Sequence, residues 1–71
     1  VAINPEELGI RFTYHAPSPE QVLTYEAIRA KGLEFAHFLE AHVPQSRELS
    51  LAITALEQAV MWGNAALARR S

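Results

Sequence analysis

The sequence predicts an all-α protein, a short N-terminal helix and arm followed by an antiparallel helical hairpin that completes its core as a homo-oligomer. Three observations predict it. From Leu49 onward, Ile53, Leu56, Val60, Gly63 and Leu67 recur at alternating steps of four and three, which places them on one helical face. Tyr25, Ile28, Gly32, Phe35, Leu39 and then His42 or Val43 show the same alternation, so two stripes of matching length can meet. Between them Val43-Pro44-Gln45-Ser46 leaves room only for a tight reversal.

Asn4-Pro5-Glu6-Glu7-Leu8-Gly9 carries the signals of a very short first helix. Asn4 can cap it, Pro5 suits its first turn, the glutamates favour its positive end, and Gly9 can stop it after about one turn. The following Ile10-Arg11-Phe12-Thr13-Tyr14-His15-Ala16-Pro17 interleaves aromatic and basic side chains before a proline and reads as an ordered loop. Ser18-Pro19-Glu20-Gln21 is a capping box with proline at the first helical position, so the first long helix starts here. Pro44 disfavours helix at Val43, and Ser46 caps the next helix with Glu48 in its first turn. Two helices of roughly 24 residues, each about 36 Å long, must then lie antiparallel. Gly32 and Gly63 lie on the facing stripes, where each costs about 1 kcal/mol relative to alanine and therefore calls for a packing reason.

The last helix has a second apolar set, Leu51, Ala55, Ala59, Trp62 and Ala66, turned away from the first, and Phe38 is large for an outward position. One neighbouring helix covers only one face. With 71 residues, the chain forms one domain, residues 1–71, whose own core leaves it marginal. Small domains compensate with disulfides, a metal or self-association. There is no cysteine, and His37 and His42, five residues apart, do not form a helical ligand pair. Self-association remains, and it would bury roughly 1.5–3 kcal/mol of apolar side chain at each of Leu51, Trp62 and Phe38.

The formal charge of −2 argues against a general binder of nucleic-acid polymers, while a compact anion held by a few cations fits. No apolar run approaches the roughly 20 residues a membrane span needs, and no signal peptide is visible, so a soluble intracellular protein is expected. The helical acids Glu20, Glu26, Glu34, Glu40, Glu48 and Glu57 include no pair at three or four residues, which disfavours a metal-dependent nucleotide hydrolase. No serine or threonine is paired with a histidine at a recognisable spacing. Two clusters remain. Arg11, Tyr14 and His15 of the arm, with Arg29 and Lys31, offer a flat ring and cations for a nucleotide; alternatively, Phe12 and Tyr14 simply pin the arm to the helices. Arg69 and Arg70 can hold phosphate or only relieve the negative end of the last helix.

Phe12-Thr13-Tyr14-His15, Tyr25-Glu26-Ala27-Ile28-Arg29, Pro44-Gln45-Ser46-Arg47-Glu48 and Glu57-Gln58-Ala59-Val60-Met61-Trp62, followed by Asn64-Ala65-Ala66, closely resemble the helical-hairpin domain of phage anti-CBASS sponge proteins. Phage anti-Thoeris sponges share the hairpin. The resemblance covers Phe12 to Arg69 and implies a homohexamer that binds cyclic dinucleotide, and in some members cyclic trinucleotide, immune messengers without cleaving them, in the cytoplasm of the infected host. It implies no cofactor, no metal and no catalytic residue. Carried over, Tyr14 would stack on a base with His15 beside it, Arg29 would contact base or phosphate, and Lys31 would border that pocket. Arg69 or Arg70 would serve a trinucleotide pocket. Anti-Thoeris relatives usually carry an N-terminal β region that this sequence lacks, which favours the anti-CBASS group. A sponge for a cyclic ADP-ribose-type signal and a purely structural helical oligomer are the alternatives.

Overall fold

A computed structural model describes residues 3–70, and among them there are three helices and no strand. Helix α1 spans Pro5–Phe12, α2 spans Pro19–His42 and α3 spans Arg47–Arg70. Asn4 Oδ1 accepts from the Glu7 backbone N–H at 2.8 Å, as the cap requires. The predicted stop at Gly9 is overturned: α1 continues for 8 residues through Ile10, Arg11 and Phe12, and Thr13 ends it in extended geometry. No described glycine has positive φ, so Gly9 does not provide a left-handed stop. A pair from Glu7 to Arg11, one helical turn apart, spans Gly9 and holds the second turn in place.

The long helices begin where their caps predict. At α2 the Ser18 N–H donates to Gln21 Oε1 at 3.0 Å and the Gln21 N–H returns to Ser18 Oγ at 3.2 Å, completing the box. Ser46 Oγ accepts from the Leu49 N–H at 3.1 Å at the head of α3. Both helices are 24 residues long. Gln21 Nε2 also donates to the Leu67 carbonyl at 3.4 Å, tying the start of α2 to the last turn of α3. With Gly32 set against Val60 further along, the two helices run antiparallel.

Their seam follows the predicted stripe on α3, where Leu49 is buried and Ile53, Leu56, Val60, Gly63 and Leu67 are half-buried. On α2, Tyr25, Ile28, Gly32 and Leu39 take their predicted places, but Phe35 is 52% exposed. Ala36, one helical turn after Gly32, takes its place against α3 beside Ile53 and Leu56. Gly32 is where the approach of the two helices is tightest. A Cβ built there would lie 2.6 Å from Val60 Cγ2, so the packing reason expected of this glycine is present. Nothing lies within 4 Å of a Cβ at Gly63, so within the chain that glycine has no such reason.

The hairpin is a slab rather than a globule. Its extents are 45 × 29 × 15 Å with a radius of gyration of 15.3 Å, whereas a compact chain of this length has about 11 Å. Its accessible surface is 5668 Å² at 7.9 kDa, against about 4,400 Å² for a compact monomer of that mass. Leu49 is the one buried apolar side chain among the described residues, and none is fully enclosed. Leu51, Trp62 and Phe38 lie in the open, as their off-seam positions predict. Among the described residues no helix is long and apolar enough to cross a membrane.

Candidate functional site

The one buried polar side chain among the described residues is Glu7, at 5% exposure. Its backbone N–H is held by the Asn4 cap, and its carboxylate reaches the second turn of α1. Arg11, one turn on, donates from Nε to Glu7 Oε2 at 2.8 Å. From the far end of the chain Arg70 meets the same carboxylate end-on, Nη1 to Oε1 at 3.1 Å and Nη2 to Oε2 at 2.6 Å. Arg69 Nη2 reaches the Arg11 carbonyl at 3.5 Å. Thus α1 is docked on the C-terminal turn of α3 by one acid and three arginines.

Electrostatics explain why this corner holds. A shielded carboxylate is costly unless it is paired, and here a bidentate guanidinium and a second cation pair it. The hydrogen bonds from Arg70, and then those from Arg11, lower the Glu7 pKa from 4.5 to about 2, against the opposing effect of burial. Glu7 in turn raises the pKa of Arg70. The arginines also sit at the negative end of α3, which favours cations. Three guanidinium charges against one carboxylate leave a surplus of two positive charges.

Beside this surplus lies an open concavity of about 490 Å³, lined by Arg11, Arg69 and Arg70 together with Phe12 and Trp62. Phe12 is 85% exposed and Trp62 67% exposed, so both ring faces are available. Flat rings next to guanidinium donors can take an anion carrying an aromatic group, with the ring stacked and the anion on the N–H forks. A plain inorganic anion would leave the rings unused.

The other predicted site residues are distributed differently than a single pocket in one chain requires. Tyr14 is 83% exposed on the segment after α1 and lines none of the principal concavities. His15 turns back on α1, its ring Nε2 2.8 Å from the Ile10 carbonyl, one of the terminal carbonyls that a helix leaves short of donors. Arg29 borders a shallow groove of about 310 Å³ between α2 and α3, beside Gly32, Val60 and Met61. Lys31 opens onto a different concavity with Phe35, Phe38 and His42, where the last two rings stack at 4.2 Å. Among the described residues the principal concavities thus separate Arg29 from Lys31, since two residues along a helix point to nearly opposite sides. Arg11, grouped in sequence with Tyr14, belongs with Arg69 and Arg70.

Glu7 is what sequence reasoning missed. Sequence alone gives it only a place at the positive end of α1, although its spacing of four from Arg11 is a usable signal. Its pairing with Arg70, 63 residues away, carried no local signal. Among the described residues no three of His, Cys, Asp or Glu gather where they could hold a metal ion.

Residues 4–68 match the family model described as the Acb2/Tad1 hairpin domain. No curated protein and no solved structure matches the chain.

Proposed function

The chain belongs to the Acb2/Tad1 hairpin-domain family, and from that premise we propose that it is a phage sponge that sequesters cyclic oligonucleotide immune messengers without cleaving them. The reading commits to CBASS messengers, cyclic dinucleotides first and cyclic trinucleotides second. The observation that carries it is the juxtaposition of Arg11, Arg69 and Arg70 with the exposed rings of Phe12 and Trp62 in one concavity. A phosphodiester between two bases carries one negative charge and two flat faces, which is the complement of that arrangement.

The resemblance implies two classes of site. The arginine corner would take the trinucleotide, with Arg70 fixed by Glu7 and Arg69 held more loosely. Tyr14 and Arg29, with Lys31 and His15 as further candidates, would take the dinucleotide, and since none of the principal concavities among the described residues holds both Tyr14 and Arg29, that pocket would lie between copies. The excess surface, the exposed Leu51, Trp62 and Phe38, and the openness around Gly63 support such an assembly, which we propose is a homohexamer. It would act in the cytoplasm of the infected host, with no cofactor, metal or polymeric nucleic acid required.

Isothermal calorimetry with cyclic diguanylate, cyclic GMP–AMP, cyclic triadenylate and a cyclic ADP-ribose isomer tests the ligand, and mass measurement under native conditions tests the assembly. We expect submicromolar binding of at least one cyclic dinucleotide, a hexamer mass, and intact ligand recovered after proteolysis of the complex. Binding of the ADP-ribose isomer alone would move the protein to Thoeris signals. Failure to bind any of the four would leave a structural oligomer.

A further inference from the structure

We propose that Glu7 is a positioning residue that gathers the Arg11 and Arg70 guanidinium groups into one fixed cationic surface and thereby sets affinity for the ligand at the Phe12–Trp62 concavity. This rests on the reading that the arginine corner holds a cyclic oligonucleotide. It adds a residue that never touches the ligand.

The first support is the bonding pattern. Both Arg11 Nε and Arg70 Nη2 end on the same oxygen, Glu7 Oε2, at 2.8 and 2.6 Å. Two guanidinium groups sharing one oxygen repel each other, and the carboxylate between them is what allows the approach. Without it each long side chain would regain its rotamer freedom and the cations would separate.

The second support is what the bonding leaves over. Arg11 spends only its Nε–H on Glu7, so both of its terminal NH₂ groups are still donors for a ligand. Arg70 spends one hydrogen from each terminal nitrogen and keeps the other. The acid therefore fixes the orientation of both forks without exhausting them, and Arg69 adds a further cation beside them. Preorganised donors lose less freedom on binding, which raises affinity without any new contact.

The third support is economy of placement. Among the described residues only Leu49 and Glu7 are buried. An apolar side chain at position 7 would dock α1 on α3 at lower desolvation cost, because a buried ion pair is weak as a stabiliser. Asn4 bonds the Glu7 backbone N–H and His15 meets the Ile10 carbonyl, so both ends of α1 are fixed around the acid. A carboxylate held this firmly orients cations better than it holds helices together.

The test compares Glu7→Gln with Asn4→Ala in the full chain, with cyclic triadenylate and cyclic diguanylate as probes. Asn4→Ala loosens α1 at its cap and leaves the carboxylate in place. We expect Glu7→Gln to weaken triadenylate about tenfold and to leave diguanylate within about twofold, while Asn4→Ala lowers the melting temperature but costs triadenylate less than about threefold. Equal losses in the two variants would reduce Glu7 to a structural clamp and overturn the proposal. Unchanged or tighter triadenylate binding by Glu7→Gln would make the acid a bystander or a competitor for the arginines, and would also overturn it. If the unaltered protein binds neither probe, the sponge reading fails and the role of Glu7 falls with it, an outcome distinct from a change seen only in Glu7→Gln. Should Glu7→Gln not fold, Glu7→Asp, one methylene short of both arginines, is read against the same outcomes.

Discussion

The seam between α2 and α3 and the corner where α1 meets the end of α3 are held by opposite kinds of force. The seam is apolar and steric, with Leu49 buried at its turn and Gly32 admitting Val60 at its middle. The corner is polar, one acid shared by two arginines, with a third arginine on the Arg11 carbonyl. Helix packing of the first kind changes little with salt or pH, whereas ion pairs that are partly open to water respond to both. The hairpin is thus a fixed frame, and the corner is the part whose arrangement an anionic ligand can influence.

The sharpest way to break this division is at the seam. Leu49→Ala removes the one well-shielded apolar side chain among the described residues and is expected to cost about 2–4 kcal/mol, read from chemical denaturation at fixed protein concentration. Gly32→Ala comes next. The added methyl meets Val60, whose branched side chain is stiff, so overpacking of about 1–3 kcal/mol outweighs the gain of about 1 kcal/mol in helix propensity. Gly63→Ala should have the opposite sign in the isolated chain, a gain of up to about 1 kcal/mol, because its Cβ meets open space. A loss there instead would place a neighbouring copy against Gly63.

These two glycines also mark what the sequence could and could not disclose. The alternation of three and four residues located both long helices and the α3 stripe, because that period is a property of one helix at a time, and the cap residues Ser18 and Ser46 located their starts. Which of Phe35 and Ala36 faces the partner depends on how close two helices come, and no single helix encodes that distance. Gly9 misleads for a related reason: its stop signal belongs to one residue, while the Glu7–Arg11 pair spans it and the His15 contact holds the turn beyond it. Arg69 and Arg70 were visible as candidates. Their association with Arg11 depended on an acid at the other end of the chain, and a contact so distant in sequence leaves no periodic trace.

At the corner the expected effect is smaller and depends on pH. Glu7 has its pKa lowered from 4.5 to about 2 in the folded chain, so its stabilising contribution is complete above pH 4.5 and is lost as pH falls toward 2. Arg11 and Arg70 are the charged groups facing it from α1 and α3. The melting temperature of the unaltered protein should therefore fall over this range more steeply than that of Glu7→Gln. Parallel curves for the two proteins would mean that the corner contributes nothing the seam does not already supply.

The smallest effect on stability is expected at Tyr14, and it separates a sponge from a merely structural oligomer. The ring is 83% exposed, so Tyr14→Ala should change stability by no more than about 0.5 kcal/mol in the isolated chain. If the ring stacks on a base in a pocket between copies, the same substitution should weaken cyclic diguanylate by about tenfold or more, the scale of one lost aromatic stack. If the ring instead locks subunits together, the proposed assembly should dissociate already at a higher protein concentration than that of the unaltered protein, and the melting temperature should fall, whether or not ligand is present. Native mass and calorimetry on one Tyr14→Ala sample distinguish these outcomes, because a side chain this open within its own chain can matter only through what a partner or a ligand brings to it.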